Sequence, residues 1–288
     1  GIGAFISLLR DPTLSIREAA AGGLRNLVVG VDDPTIPKAG SIKPLVALLN
    51  EGTERGKEQA AAALAHLALN KVIAEAIHAC EGIPPLIRLL IDGTAGARVE
   101  AAVALSNLAL KDPKAATTIH KAGAIEPLIS LLGDGTPDDN EQVAVALLNL
   151  GNNDENRLAV AKAGGIPALI TLLTEGTPGG KELGAAALWN LAVMADTARM
   201  VVEAGGIAPL VSLLGDEETR ARSNAEQALR YLAQYADAKT VNITELRVAG
   251  HAAFALELEK SPTETKDGPD EGLSPLERMM SKAKEVAS

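Results

Sequence analysis

Aromatic residues are scarce in this chain. Of its 288 residues, one is Trp, two are Tyr and two are Phe, although 47% of the chain is hydrophobic. A globular enzyme of this size usually places more aromatic side chains in its core and its pocket. The apolar residues here are mainly Ala, Leu, Ile and Val, which favour closely packed helices.

Cysteine, long apolar runs and net positive charge are missing as well. The single Cys80 cannot form an internal disulfide and fits a reducing compartment, so we expect a cytoplasmic, or alternatively a nuclear, location. No window reaches about 18 consecutive apolar residues and no signal peptide is visible, so direct membrane insertion is not expected. The formal net charge of -10 disfavours a nucleic-acid partner.

One phrase of the sequence returns at a nearly constant interval. Around Ile42 it reads Ala-Gly-Ser-Ile-Lys-Pro-Leu, and the pair Leu48-Leu49 follows. A partial copy begins at Ile2, and further copies are centred on Ile83, Ile125, Ile166 and Ile207. The successive spacings of 40, 41, 42, 41 and 41 residues indicate a repeat protein.

A second phrase keeps the same period. Gly-Thr pairs at 52–53, 93–94, 135–136 and 176–177 each precede an Ala-rich run. In one run, one helix face is marked by the spacing of Ala101, Ala104, Leu105 and Leu108. Each period is therefore predicted to hold three helices: a first that ends at Gly, a second that starts near Pro, and a long third with Thr as its N-cap.

The phrases Ala-Gly-Gly-Ile-x-Pro-Leu and Ala-x-x-Ala-Leu-x-Asn-Leu-Ala, with three helices per period, resemble the armadillo (β-catenin-like) repeat family. The resemblance covers about residues 1–258. It implies an all-α fold, a right-handed superhelical α-solenoid in which neighbouring repeats of about 41 residues share one core. The loops Leu49 to Glu58 and Thr174 to Glu182 are similar to those of the armadillo repeats attached to plant U-box ubiquitin ligases.

The phrases also predict a division of the chain. The solenoid spans 1–260: a partial repeat at 1–30, five full repeats beginning near 35, 71, 112, 154 and 196, and a degenerate repeat at about 238–258. No first helix precedes Ile2, so we expect the natural protein to begin before Gly1. Residues 261–288 are predicted to be a flexible linker and a short amphipathic helix. That helix, 275–287, is a candidate for intramolecular docking on the solenoid.

No group of residues predicts catalysis, and we expect neither a metal nor a cofactor. His78 and His120 stand in equivalent first helices, but one His per repeat does not make a metal site. Cys80 is predicted to be a small buried hydrophobe rather than a nucleophile. The Gly-rich turns lack the preceding strand and the Gly-Lys-Ser/Thr sequence of phosphate-binding loops.

The most informative position lies near the end of each third helix. Aligned on Leu-x-Asn-Leu, it reads Asn26, His66, Asn107, Asn149, Asn190 and Tyr231. Because third helices line the concave groove of armadillo proteins, the resemblance implies that these side chains bind the backbone of an extended peptide. An amide carries a donor and an acceptor together, as a peptide backbone does. The alternative is that the Asn side chains brace the neighbouring repeat.

The position one residue earlier contains the only Trp. It reads Arg25, Ala65, Ser106, Leu148, Trp189 and Arg230. Trp189 is either an anchor for a partner, since flat amphipathic side chains are common hot spots, or a core residue. Four residues before each Asn, importin-α repeats carry the Trp that cradles lysine; this chain has none there, so a nuclear-localisation signal is not the predicted ligand. Arg220, Arg222 and Arg230 could pair with an acidic peptide or form a solvated face.

These patterns favour a non-catalytic scaffold that binds an extended peptide segment of another protein in the groove. Two alternatives remain. The loop phrases favour the substrate-binding adaptor portion of a ubiquitin ligase, with the catalytic domain outside this chain. A vacuole or vesicle tether would need an acylated N-terminus, which the sequence does not show.

Overall fold

The computed structural model describes residues 1–28, 40–215 and 220–235. Within these ranges the chain forms 16 helices and no strand. Contacts divide the chain into two units, Gly1–Leu150 and Gly151–Ser288, and each is described by itself. The helix predicted to open the repeat near residue 35, the degenerate repeat at 238–258 and the segment 261–288 lie outside the described residues.

The first unit holds the helices α1 to α10. In chain order they are α1 (Ile2–Leu8), α2 (Leu14–Leu27), α3 (Ile42–Glu51), α4 (Glu54–Leu67), α5 (Lys71–Ala79), α6 (Ile83–Asp92), α7 (Ala95–Lys111), α8 (Pro113–Lys121), α9 (Ile125–Asp134) and α10 (Pro137–Leu150). The first helices of their repeats are α5 and α8, and the second helices are α1, α3, α6 and α9. The long third helices are α2, α4, α7 and α10.

The described part of the second unit holds two repeats of the same plan. Its helices are α11 (Asp154–Lys162), α12 (Gly165–Glu175), α13 (Pro178–Ala192), α14 (Ala195–Glu203), α15 (Ile207–Leu213) and α16 (Arg220–Tyr235). Thus α13 and α16 are third helices. Three helices per repeat, as the sequence predicts, is confirmed for the repeats that begin near 71, 112, 154 and 196.

The Gly-Thr pair has a separate role for each residue. The Thr side chains of Thr53, Thr94 and Thr177 accept a hydrogen bond from the third residue beyond them, which confirms them as N-caps of α4, α7 and α13. The preceding Gly is required for space, since a Cβ on Gly93 would overlap the carbonyl oxygen of Leu89. The pair therefore makes a tight turn between the second and third helix.

The end of the first helix requires a left-handed residue. Gly123, Gly164 and Gly205 hold this position with φ between 79° and 87°, as the sequence predicts. In the repeat that begins near 71 the same position is Glu81, with φ 57° and an exposed side chain. A residue with a Cβ is disfavoured in this conformation, so Glu81 is a strained point in an otherwise regular pattern.

Replacing Glu81 by glycine is expected to raise the free energy of unfolding by about 1 kcal/mol, because the left-handed conformation costs glycine little. The matched control is Gly123→Ala, whose added Cβ would meet no atom within 4 Å. That change should lower stability by about 1 kcal/mol for conformational reasons alone. Urea unfolding of both variants is the measurement. A loss of stability in Glu81→Gly would contradict the assignment of strain.

Small side chains allow the third helices to pack closely. The stripe of Ala101, Ala104, Leu105 and Leu108 on α7 is fully buried, as its spacing predicts. In the first unit α2 packs on α4, α4 on α7, and α7 on α10, and in the second unit α13 packs on α16. Burial of Ala and Leu from adjacent repeats gives each unit its core.

No single helix within the described ranges is long and apolar enough to cross a membrane. Taken together, α11 and α12 are long and apolar enough, by length and composition only, and the two helices are bent by 77° at the break between them.

Candidate functional site

The candidate site is a row of side chains, one from each third helix, near its C-terminal end. We call it the third-helix row: Asn26, His66, Asn107 and Asn149 in the first unit, and Asn190 and Tyr231 in the second. Because consecutive third helices pack side by side within each unit, neighbouring members of the row belong to adjacent helices. Their environments differ, and we take the two units in turn.

At the start of the row the side chains are accessible. Asn26 is exposed and lines a cleft of about 460 Å³ between α2 and α4, together with Gly22 and Arg55. His66 is half-buried. Its burial lowers the pKa of the imidazole, and the positive charge of Arg25 lowers it further. His66 therefore presents a neutral ring on this surface near pH 7.

The next two Asn side chains bond to the preceding repeat. The Nδ2 of the half-buried Asn107 donates to the carbonyl oxygen of Ala65 at 2.9 Å. The Nδ2 of Asn149, which is 2% exposed, donates to the Oγ of Ser106 at 2.8 Å. Bracing of the neighbouring repeat, one of the two roles considered for these residues, is thus present in the structure.

Bracing leaves one polar atom of Asn149 unused. Its Oδ1 is out of contact with solvent and has no hydrogen-bond partner. A buried acceptor without a donor costs about 1–3 kcal/mol. Asn149 therefore retains an unsatisfied capacity to accept a hydrogen bond.

In the second unit, two adjacent residues of α13 are buried. Trp189 is 6% exposed, and its indole Nε1 is a donor without an acceptor. The Oδ1 of Asn190, which is 1% exposed, accepts a hydrogen bond from the Nε of Arg157 at 2.9 Å. Tyr231, on α16, is half-buried.

Comparison with known proteins agrees with this geometry. Three segments of the sequence, residues 34–69, 153–193 and 195–234, match the armadillo/β-catenin-like repeat family model. The fold is an armadillo-repeat solenoid. The family match is to the repeat alone, and the likeness to U-box proteins receives no support. The search of curated proteins found no match.

Solved structures resemble the chain over most of its length. A designed armadillo repeat protein has 25% identity and a TM-score of 0.76, covering 81% of this chain and 100% of its own. An engineered protein has 29% identity and a TM-score of 0.80, covering 99% of this chain and 67% of its own. A designed armadillo repeat protein in complex with peptide (KR)4 has 24% identity and a TM-score of 0.74, covering 80% and 99%; this likeness is one of fold.

Two residues of the armadillo surface were not predicted from the sequence. The Oγ of Ser106 accepts a hydrogen bond from the amide of Asn149. The Nε of Arg157, a residue of the first helix α11 that is 7% exposed, donates to the Oδ1 of Asn190. Arg157 also contacts the exposed carboxylate of Asp154 at 2.5 Å. A signal was available for Arg157: its spacing from the buried Val160 and Ala161 places it on the inner face of α11.

Some charged groups on the third helices interact with one another. Burial raises the pKa of the Glu100 carboxyl, although Arg25 opposes the rise and Glu58 adds to it. Arg222 contacts Glu226 at 3.0 Å, and Arg220 lies 3.9 Å from Glu182. These contacts agree with a solvated, internally paired face at the start of α16 rather than with a basic site for an acidic peptide.

The described residues contain no group of three or more His, Cys, Asp or Glu that could hold a metal ion. His78 contacts the side chains of Asp112 at 2.7 Å and Thr118 at 3.0 Å. Asp112 is also the N-cap of α8, so this cluster joins two first helices. Cys80 is half-buried, and the prediction that it is a buried hydrophobe is therefore wrong.

Proposed function

We propose that the chain is a non-catalytic scaffold whose third-helix row binds an extended peptide segment of a partner protein. One observation carries the proposal: an acceptor, the Oδ1 of Asn149, and a donor, the Nε1 of Trp189, are buried without partners. Such atoms are rare in folded proteins and call for an explanation. An extended peptide can supply either missing group, since its backbone alternates N–H and C=O.

The burial of these two atoms specifies how binding must occur. Neither atom is in contact with solvent, so a peptide reaches them only after a rotation of the side chain or a shift of its neighbours. The hydrogen bonds that then form remove a cost of about 1–3 kcal/mol for each atom. The exposed Asn26 and the half-buried Asn107 need no such movement.

The proposed partner is a protein, and the proposal includes a cytoplasmic or nuclear location, which cell fractionation would test. A ubiquitin-ligase adaptor is the second candidate, and it rests on the sequence of the loop from Leu49 to Glu58 alone. Both functions require the same peptide-binding surface. A U-box or RING domain in the full-length gene would distinguish the adaptor from a free-standing scaffold.

The test is peptide binding by the variant Asn149→Ala/Asn190→Ala. Peptides selected on the wild-type chain from a random linear library should bind this variant at least about tenfold more weakly, since loss of hydrogen bonds worth about 1.4 kcal/mol lowers affinity tenfold. Asn50→Ala is the matched control, because Asn50 is an exposed amide on α3, away from the row. Equal affinity of wild type and double variant would exclude the row as the binding site.

A further inference from the structure

The cleft between the third helices α2 and α4 lies wholly within the first unit. From α2 it is lined by Ser15, Gly22 and Asn26, whose spacing places them on one face of the helix. From α4 it is lined by Arg55 and Gln59, which are one helical turn apart. Ser15, Asn26 and Arg55 are exposed, so the cleft is open to a ligand beside the first member of the third-helix row.

The amide of Gln59 is held in one orientation. The guanidinium of Arg25 can only donate, and its Nη1 donates to the Oε1 of Gln59 at 3.3 Å. A Cβ on Gly22 would lie 3.1 Å from the same Oε1, so the missing side chain at that position leaves room for the amide. Because Oε1 is on the side of Arg25, the Nε2 of Gln59 is the group left for a ligand, and it is a donor.

Two arginines at this cleft lack a carboxylate partner. Neither Arg25 nor Arg55 forms an ion pair with any residue that the structure describes. Burial lowers the pKa of the His66 imidazole and Arg25 lowers it further, while burial raises the pKa of the Glu100 carboxyl and Arg25 opposes that rise. Both effects indicate a positive potential around Arg25, although the net charge of the chain is -10.

One carboxylate, that of Glu18, also lines the cleft. Its Oε1 accepts a hydrogen bond from the backbone N–H of Thr53 at 2.7 Å, which directs this oxygen to the residue that caps α4. With Arg25 and Arg55 set against Glu18, guanidinium groups outnumber carboxylates around the cleft. The free side-chain groups there are mainly donors.

We infer that this cleft binds an anionic group of the peptide ligand, a carboxylate or a phosphoryl group, through Arg55, Gln59 and Asn26. The inference rests on the proposed function and adds the chemistry of one group of the ligand. A guanidinium donates two parallel hydrogen bonds to the oxygens of such an anion, and charge-assisted hydrogen bonds are stronger than neutral ones. The amides of Gln59 and Asn26 supply further donors.

The test uses peptides selected from a random linear library on the whole wild-type chain. Arg55→Gln removes the charge proposed to contact the anion and should weaken binding of these peptides at least about tenfold. Lys57→Gln is the matched control, because it removes the same charge from the same helix and Lys57 lines a different cavity of the first unit. It should change the affinity by about twofold or less, since charges away from the ligand are screened.

A second variant tests the donor of Gln59. Gln59→Glu keeps the contact with Arg25 as an ion pair but replaces Nε2 by an oxygen, and it should also weaken binding at least about tenfold. Circular dichroism and thermal unfolding establish that each variant is folded at the assay temperature. If Gln59→Glu does not fold, Arg55→Gln carries the test, because Arg55 is exposed.

Changes in the peptide identify the anion. Each Asp or Glu of a selected peptide is replaced by its amide, and the C-terminal carboxylate is amidated. One of these changes should weaken binding to wild type and have no further effect on binding to Arg55→Gln. Phosphoserine at that position then distinguishes the two anions: retained binding extends the site to phosphoryl groups, and lost binding restricts it to carboxylates.

The outcomes separate this inference from the proposed function. If the library yields no peptide that binds wild type, the proposed function fails and the inference fails with it. If peptides bind but Arg55→Gln and Lys57→Gln change the affinity equally, the inference is overturned and the proposed function stands. The same conclusion follows if no anionic group of the peptide affects binding, or if its removal weakens binding to Arg55→Gln as much as to wild type.

Discussion

Truncation of Leu105 to alanine is expected to lower the free energy of unfolding by about 2–5 kcal/mol, the range for removing a fully buried Leu side chain. Leu105 has no exposed surface, and its helix α7 packs against α4 and α10. The surrounding face is rich in Ala, whose short side chains cannot extend into the cavity. The site should therefore collapse poorly, which favours the upper part of the range.

The effect of Leu105→Ala should be concentrated near α7, because each repeat contacts only its neighbours. Hydrogen exchange should show the largest loss of protection in α4, α7 and α10. Leu69→Ala is the control, since Leu69 is 48% exposed and its truncation should change stability by less than about 0.5 kcal/mol. A loss of protection spread evenly over both units would argue against repeat-wise stability.

Replacement of Arg157 by alanine is expected to cost about 2–5 kcal/mol of unfolding free energy. The change leaves the buried Oδ1 of Asn190 without the Arg157 donor, and it removes an arginine stem that is packed between α11 and α13. Denaturant unfolding measures the loss. Arg157 also contacts the carboxylate of Asp154, which is exposed.

The control for this prediction is Asp154→Ala. Because an exposed ion pair is worth about 0–1 kcal/mol, its loss should have a small effect. If the two variants lose equal stability, the ion pair rather than the contact with Asn190 holds Arg157 in place. The ratio of the two effects therefore measures how strongly the first helix supports the third-helix row.

The regular features of the fold were predictable from local patterns. The phrase around Ile42 located the second helices, the Gly-Thr pairs located the N-caps of the third helices, and Ala101 to Leu108 marked a buried face. Each feature depends on chemistry within one turn or one helix, so residue type and spacing suffice. Even here Glu81 departs from the pattern: the sequence shows the missing Gly, and only the backbone shows that the left-handed conformation is kept without it.

The sequence by itself determined the repeat, the three-helix unit and the positions of the third-helix row, because all three are set by periodicity along the chain. Only the tertiary structure decided which atoms of that row form hydrogen bonds within the chain. Asn149 and Asn190 occupy equivalent positions, but the partners that orient their amides, Ser106 and Arg157, lie 43 and 33 residues away. Contacts between helices set the direction of a hydrogen bond, and a period read along the chain does not contain them.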